Sequence, residues 1–283
     1  MNATLPVSRP TTPTQICPRM ADIHPKDDDF HVGLRFANSA SDELLTYWNS
    51  VVVLCTPDIS IYRADDGGRD VFALGTVIVK SSHLHAEEES DWTFSDANES
   101  KAMEIAKKLL LDIKLPETYF AGKINGHQVL VQECLPGIGL NVSYPYLTDD
   151  EKHTFKTQAR DVIRRLQTVP IPSCITARNH IVPDLDMRNK PHKMTAEKVA
   201  IIFDENLDDD FGFMHNDLSD SNIIVDNGRI VDIIDWESAG YIGRRTAAEI
   251  HRRIRTPQLE HYKNVQLGEE KLNEMMWWND PYD

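Results

Sequence analysis

The stretch "FMHNDLSDSNIIVDNGRIVDIIDWE", residues 213–237, places His215, Asp217, Asn222 and Asp235 around one short hairpin. Asn227-Gly228 at its centre is the strongest two-residue turn signal, because both residues accept the positive φ of a type I′ turn. The flanks "NIIV" and "RIVDII" are β-branched and strand-like. With Asp226 and Arg229 beside the turn, Ile224 is expected opposite Val231, and Asn222 opposite Ile233. Asp235 then points to the same face as Asn222 from the neighbouring strand. Such a diagonal spacing is roughly 7–8 Å, which two converging side chains can bridge. One amide oxygen and one carboxylate are hard ligands, few in number, of the kind that hold Mg²⁺ when phosphates complete its shell. Asp217, in the loop feeding the hairpin, is placed to accept the proton of an attacking hydroxyl. Singly, each residue would also serve as a polar cap on its own turn. The set, followed by "IIDW", argues for phosphoryl transfer.

The elements that must carry this site change character along the chain. "VVVLC" (Val51–Cys55) and "VFALGTVIVKSS" (Val71–Ser82) are β-branched and read as extended, with "DDGGR" (Asp65–Arg69) as a turn. A helix is expected at about Asn98–Leu111, striped by Ala102, Ile105, Ala106 and Leu109. "HQVLVQE" (His127–Glu133) reads as a buried strand that Leu135-Pro136-Gly137 cannot continue. Beyond it the period becomes helical. Thr148 and Glu151 form a capping-box pattern ahead of Phe155, Ala159, Val162, Ile163 and Leu166, and Thr195–Asn206 is a second helix. Thr246 and Glu249 suggest a further capping box. A strand-rich first part and a helix-rich second part imply a two-lobed α+β protein with its ligand in the cleft between them.

Composition narrows the partners. The 283 residues carry a net charge of −15, against the basic surface that nucleic-acid binding requires. No apolar run of membrane-spanning length occurs. Residues 1–29, rich in Pro, Thr and Asp, read as a disordered leader without a secretory pattern, with the fold starting near Phe30. Cys17, Cys55, Cys134 and Cys174 are too scattered to ligate a metal and read as free thiols of a reducing, cytoplasmic compartment. The acidic runs Glu87–Asp91 and Asp208–Asp210 read as solvated loops. Arg244, Arg245, Arg252, Arg253 and Arg255 are read as pairing with carboxylates across the helical lobe, with contact to an anionic substrate as the alternative. "MMWW" (Met275–Trp278) reads as a helix covering the core.

"HNDLSDSN" matches the H-x-D-x-x-x-x-N catalytic loop of the kinase-like fold, and "IIDWE" resembles the metal-binding segment of aminoglycoside phosphotransferases and choline kinases. Asp235-Trp236-Glu237 stands where protein kinases carry Asp-Phe-Gly, so the resemblance is to the small-molecule kinases, in particular the fungal aminoglycoside-phosphotransferase-like group. It implies a protein-kinase-like fold with an N-lobe over 30–137 and a helical C-lobe over 138–283. It implies ATP and Mg²⁺ as cofactors and a small-molecule hydroxyl as acceptor. "TVIVK" resembles the strand whose lysine, Lys80, binds the α- and β-phosphates. "ANESKAMEIAKK" resembles the helix whose glutamate pairs with it, Glu99 first and Glu104 second. "LVQECLPG" resembles the hinge, where the backbone of Gln132 and Cys134 would hydrogen-bond adenine. Asp217 becomes the catalytic base, with Asn222 and Asp235 as metal ligands and His215 orienting the loop. Two departures are plain: no G-x-G-x-x-G precedes Lys80, and the segment after Glu237 is short for the helices that usually build the acceptor pocket. They leave a kinase-fold binding protein without activity as the alternative.

Overall fold

The computed structural model describes Phe30, Val32 and residues 42–64, 68–85, 92–175, 179–182, 195–205, 208, 211–256 and 269–282. The expected leader, Cys17, the run Glu87–Asp91 and most of Asp208–Asp210 lie outside the described residues. Helix α1 spans Asp42–Leu54. It corrects the extended reading of Val51–Cys55. Trp48, Val51, Val52 and Cys55 recur at helical spacing and are buried, while Val53 and Leu54 face solvent. The β-branched run is a helix end whose apolar stripe lies on a sheet.

That sheet holds β1 (Ser60–Tyr62), β2 (Asp70–Leu74), β3 (Val77–Ser81), β4 (Thr118–Ile124) and β5 (His127–Glu133), antiparallel in the order β1-β2-β3-β5-β4. The stretch 71–82 is therefore two strands. The chain reverses at Gly75, whose φ is 55° and where a Cβ would strike the Phe30 backbone. Thr76 donates its N–H to the Phe30 carbonyl at 2.8 Å, tying the start of the described chain to this turn. Strand alternation splits the sheet. Val77, Val79, Val129 and Val131 pack with Phe72 and Trp48 in one core. Ile78, Lys80, Leu130 and Gln132 share the other face through the pairs Ile78↔Gln132 and Lys80↔Leu130.

Helix α2 spans Thr93–Ala106, starting and ending earlier than the expected Asn98–Leu111. Its first turns bury Asp96, Asn98 and Glu99 instead of apolar residues, so an apolar stripe becomes visible only from Ala102. Past β5 the chain forms β6 (Ile138–Gly139), α3 (Leu140–Ser143) and α4 (Asp149–Gln167). The capping box is present: Thr148 Oγ1 accepts the Glu151 N–H, and the Glu151 carboxylate accepts the Thr148 N–H. Phe155, Ala159, Val162, Ile163 and Leu166 enter a second core with Phe213, Ile223, Ile233 and Trp236.

The remaining elements are β7 (Asn179–His180), α5 (Ala196–Val199), β8 (Gly212–Met214), β9 (Ile223–Asp226), β10 (Arg229–Ile233), β11 (Gly240–Ile242), α6 (Arg244–Ile250) and α7 (Glu269–Trp278). Strand β11 lies between β7 and β8, while β9 lies between β10 and β6. A single π-helical turn follows α5 at Ala200–Asp204, and another follows α6 at His251–Arg255. The expected capping box at Thr246 and Glu249 does not form, because α6 has already begun at Arg244. Asp208 caps it from outside, accepting the Arg245 and Thr246 N–H groups at 2.9 and 2.8 Å. Among the described residues, no helix is long and apolar enough to cross a membrane.

Candidate active site

The hairpin β9–β10 turns at Asn227 (φ 47°) and Gly228 (φ 73°), the two positive values that a type I′ turn demands. Its register differs from the regular one. Asp226 faces Arg229 and Val225 faces Ile230, but a bulge at Val231 then pairs Ile224 with Asp232 and Ile223 with Ile233. The Ile234 N–H donates to the Asn222 carbonyl at 3.0 Å. Asn222 is thus one residue nearer Asp235 along the partner strand than an unbulged hairpin would place it. Strand β6 anchors the other edge through Ile138↔Val225. There Gly137 (φ 138°) lets the backbone pass so close that a Cβ would strike Ile224.

Asp235 itself takes a left-handed backbone, φ 64° and ψ 56°, which is uncommon for a residue with a side chain. Strain of this kind persists where surrounding contacts over-determine it. The contacts are visible. Asn98 of α2 donates to the Glu237 and Ala239 carbonyls at 2.8 and 2.9 Å, clamping the helix onto the turn that follows Asp235.

The clamp brings three carriers of charge together. Lys80 Nζ lies 2.8 Å from Asp235 Oδ1 and 3.1 Å from Glu99 Oε2, while Gln132 Nε2 donates to Glu99 Oε1 at 3.1 Å. Glu104, the second candidate partner, sits on the exposed side with Lys101. Burial opposes the Lys80 charge, but Asp235, Glu99 and Glu237 outweigh it and raise its pKa. Burial likewise pushes Asp235 up, yet Lys80 prevails and holds it at about 2. Glu237, penalised by burial and then by the neighbouring Asp235, rises to about 7.

At the hinge, part of the backbone expected to meet adenine is engaged within the protein. Gln132 lies inside the sheet, opposite Ile78 on one side and Thr118 on the other. Cys134 donates its N–H to the Thr76 carbonyl at 2.8 Å. A central strand uses its backbone groups for its neighbours. Gln132 enters the site through its side chain instead.

The loop from His215 to Asn222 is fixed by two imidazoles. The Asp217 N–H donates to His215 Nδ1 at 3.2 Å, so the proton of His215 is on Nε2, which donates to the Ile234 carbonyl at 3.0 Å. Burial lowers His215 to about 4, keeping it neutral in this bridging role. The Leu218 N–H donates to His251 Nε2 at 3.0 Å, which fastens the loop to the π turn after α6. Asn222 Nδ2 donates to the Asp217 carbonyl at 2.9 Å, and its side-chain oxygen is left for another partner.

Sequence reasoning missed what faces Asp217. Arg255 Nη2 lies 2.9 Å from Asp217 Oδ2, with side-chain exposures of 28% and 10%. Burial raises the Asp217 pKa, and Arg255 pulls it back only in part. Of the other arginines of this cluster, Arg253 pairs with Glu197 and Glu205 and Arg252 with Glu249, as the structural reading has it, while Arg244 donates to the Tyr282 carbonyl. Arg69 was also unforeseen. It is buried against Asp96 at 2.6 Å, with Glu237 3.7 Å away and Trp92 beneath it. Neither contact has a local signal, since both partners are distant in sequence.

The donor set suits a divalent cation. Oxygens of Glu99, Asp235 and Glu237 lie within 4.8 Å of one another. A separate cavity of about 600 Å³ between α4 and α7, lined by Tyr144, Lys152, Glu274 and Trp277, contains none of these groups.

A lysine on a sheet, a helix glutamate, a His-x-Asp loop and a carboxylate after a hairpin are the parts of a kinase-like fold. The chain belongs to the phosphotransferase enzyme family (APH), whose model matches residues 63–243, well over half of it. Among solved structures it is similar to the streptomycin–ATP–APH(2")-IIa ternary complex, at 14% identity over 85% of this chain and 82% of that one, with a TM-score of 0.49. An apo thermostable mutant of aminoglycoside phosphotransferase APH(4)-Ia matches at 14% identity over 78% and 83%, TM-score 0.48. Amicoumacin kinase hAmiN in complex with AMP-PNP, Ca²⁺ and Ami matches at 14% identity over 86% and 77%, TM-score 0.48. A search of the curated proteins finds no match.

Proposed function

We propose that the chain is an ATP- and Mg²⁺-dependent phosphotransferase that moves the γ-phosphoryl group onto a hydroxyl of a small molecule. The observation that carries this is the meeting of Lys80, Glu99 and Asp235 in one ion-paired cluster on the sheet side, with Asn222 bridging to Asp217 on the other. Lys80 meets the phosphates and is kept charged and oriented by Glu99. Asn222 and Asp235 hold the divalent cation, which when bound neutralises charge on the phosphates. Asp217 takes the hydroxyl proton as the oxygen attacks phosphorus. Burial makes it a stronger base than an exposed aspartate, and Arg255 keeps it ionised. His215 holds the Asp217 backbone and transfers no proton.

The second reading is a binding protein of the same fold without turnover. The Arg255 contact on one Asp217 oxygen favours it. Asp217→Asn decides between them, because asparagine keeps the shape and loses the base. Turnover, followed as ADP release against a panel of hydroxyl compounds, should fall about 10²–10⁴-fold with Mg²⁺-ATP affinity nearly unchanged. A wild-type protein that binds Mg²⁺-ATP but turns over nothing in the panel, or a variant with undiminished turnover, contradicts the assignment of Asp217.

A further inference from the structure

Next to Asp217 the charge balance is the reverse of the phosphate side. Lys198, on α5, is buried, and its ammonium has one hydrogen-bond partner among the described residues, the neutral Ser238 Oγ at 3.2 Å. Arg255 Nη2 reaches the same hydroxyl at 3.5 Å while contacting Asp217. Arg255 Nε is buried with no partner among the described residues. His180, on the strand paired with Gly240 just past Ser238, is more than nine-tenths buried, and neither of its ring nitrogens has a partner among the described residues.

Lysine is almost never buried without a counter-charge. Here the atom it touches is uncharged and the group sharing that atom is another cation. Burial and then Arg255 lower the Lys198 pKa to about 8, against the opposing pull of Asp217, Glu237 and Asp235. None of these carboxylates is hydrogen-bonded to Lys198 among the described residues, and Asp217 is held by Arg255. Polar groups left orphaned in a buried place cost stability unless a ligand meets them.

We propose that Lys198, Arg255 and Ser238 form the anion-recognising part of the acceptor site, so that the acceptor is a hydroxyl compound bearing a carboxylate or phosphate close to the hydroxyl that Asp217 deprotonates. This rests on the phosphotransferase reading of Asp217. The neutral Ser238 hydroxyl gives an anionic group a third hydrogen-bonding partner between the two cations. Arg255 then serves both the base and the acceptor, which fixes the distance from anionic group to reactive hydroxyl.

The test uses four probes on one carbon skeleton: glycerate, glycerol 3-phosphate, glycerol and 3-amino-1,2-propanediol. Binding to the full chain is measured by calorimetry at pH 7 and constant ionic strength. At least one of the two anions should bind, at least 10-fold more tightly than the neutral and cationic compounds. Lys198→Met and Arg255→Gln should each weaken that anion about 10-fold or more, and glycerol by much less. Which anion binds tells carboxylate from phosphate. Should Lys198→Met fail to fold, Arg255→Gln, at a partly exposed position, carries the comparison. Equal binding of all four probes, no binding of either anion, or anion affinity unchanged in the folded variants overturns the proposal. Mg²⁺-ATP is titrated into the same proteins. Loss of nucleotide binding with the anion response intact would sink the phosphotransferase reading alone, and the reverse outcome would sink the anion site alone.

Discussion

On the sheet side of the site, Lys80 meets Glu99 and Asp235, and Arg69 meets Asp96. Around Ser238, by contrast, two cations share one hydroxyl, and Arg255 alone contacts the Asp217 carboxylate. The first region is closed by internal pairs, which hold each group in place before any ligand arrives. The second has orphaned donors in buried positions. A phosphate-handling wall that serves one reaction can be finished internally. An acceptor wall is completed by the molecule it selects.

Lys80 breaks the balanced wall most severely. Lys80→Ala would leave Glu99 and Asp235 facing one another without their cation, and removing one partner of a buried pair costs about 3–5 kcal/mol. Chemical denaturation should record that loss. Calorimetry should show ATP weakened more than adenosine, since only ATP carries the charge that Lys80 meets. Equal loss for both ligands would mean that Lys80 supports the fold alone.

Gly228 sits farther away and acts through geometry. A Cβ there meets nothing within 4 Å, so Gly228→Val carries only the strain of a β-branched residue at φ 73°. About 1–3 kcal/mol is expected. Because Asn222 and Asp235 take their register from this turn, Mg²⁺-dependent nucleotide affinity should fall with the melting temperature. A destabilised variant with normal Mg²⁺-ATP affinity would separate the hairpin from the metal site.

An effect on pH dependence, separate from ligand binding, concerns Asp232, on the bulged strand. Burial, its main cause, lifts the pKa from the ordinary 3.8 to about 8, and neither carboxylate oxygen has a hydrogen-bond partner among the described residues. The folded state therefore holds this proton more tightly than the unfolded chain. The stabilisation is complete below about pH 3.8 and is lost as pH rises through about 8. Asp232→Asn removes that slope. Its melting temperature should exceed the wild type's increasingly from pH 5 to pH 8, and a constant difference across that range would contradict the assignment.

Local signals were the ones legible in the sequence. The turn at Asn227-Gly228, the Thr148–Glu151 box and strand β5 each depend on residues a few positions apart, and each formed where it was read. The bulge at Val231 was not legible, because a period-two pattern looks the same until one pairing slips. Val51–Cys55 misled because β-branched composition was weighed without the preceding turns that give Trp48, Val51 and Val52 a common face. The bond from the Cys134 N–H to the Thr76 carbonyl was not legible either, because its partners are far apart in sequence. Arg255, which contacts Asp217, ends a π turn that follows α6, and a turn of that kind leaves no periodic trace.

The central claim is that the hairpin builds a metal-dependent nucleotide site, and Asp235 tests it most directly. ATP is titrated into the wild type and into Asp235→Asn, each with and without Mg²⁺. Asparagine removes a charged oxygen ligand while keeping the side chain's shape, so Mg²⁺ should strengthen ATP binding to the wild type and do little for the variant. ATP binding that is equally Mg²⁺-dependent in both proteins, or no ATP binding by the wild type, would contradict the account.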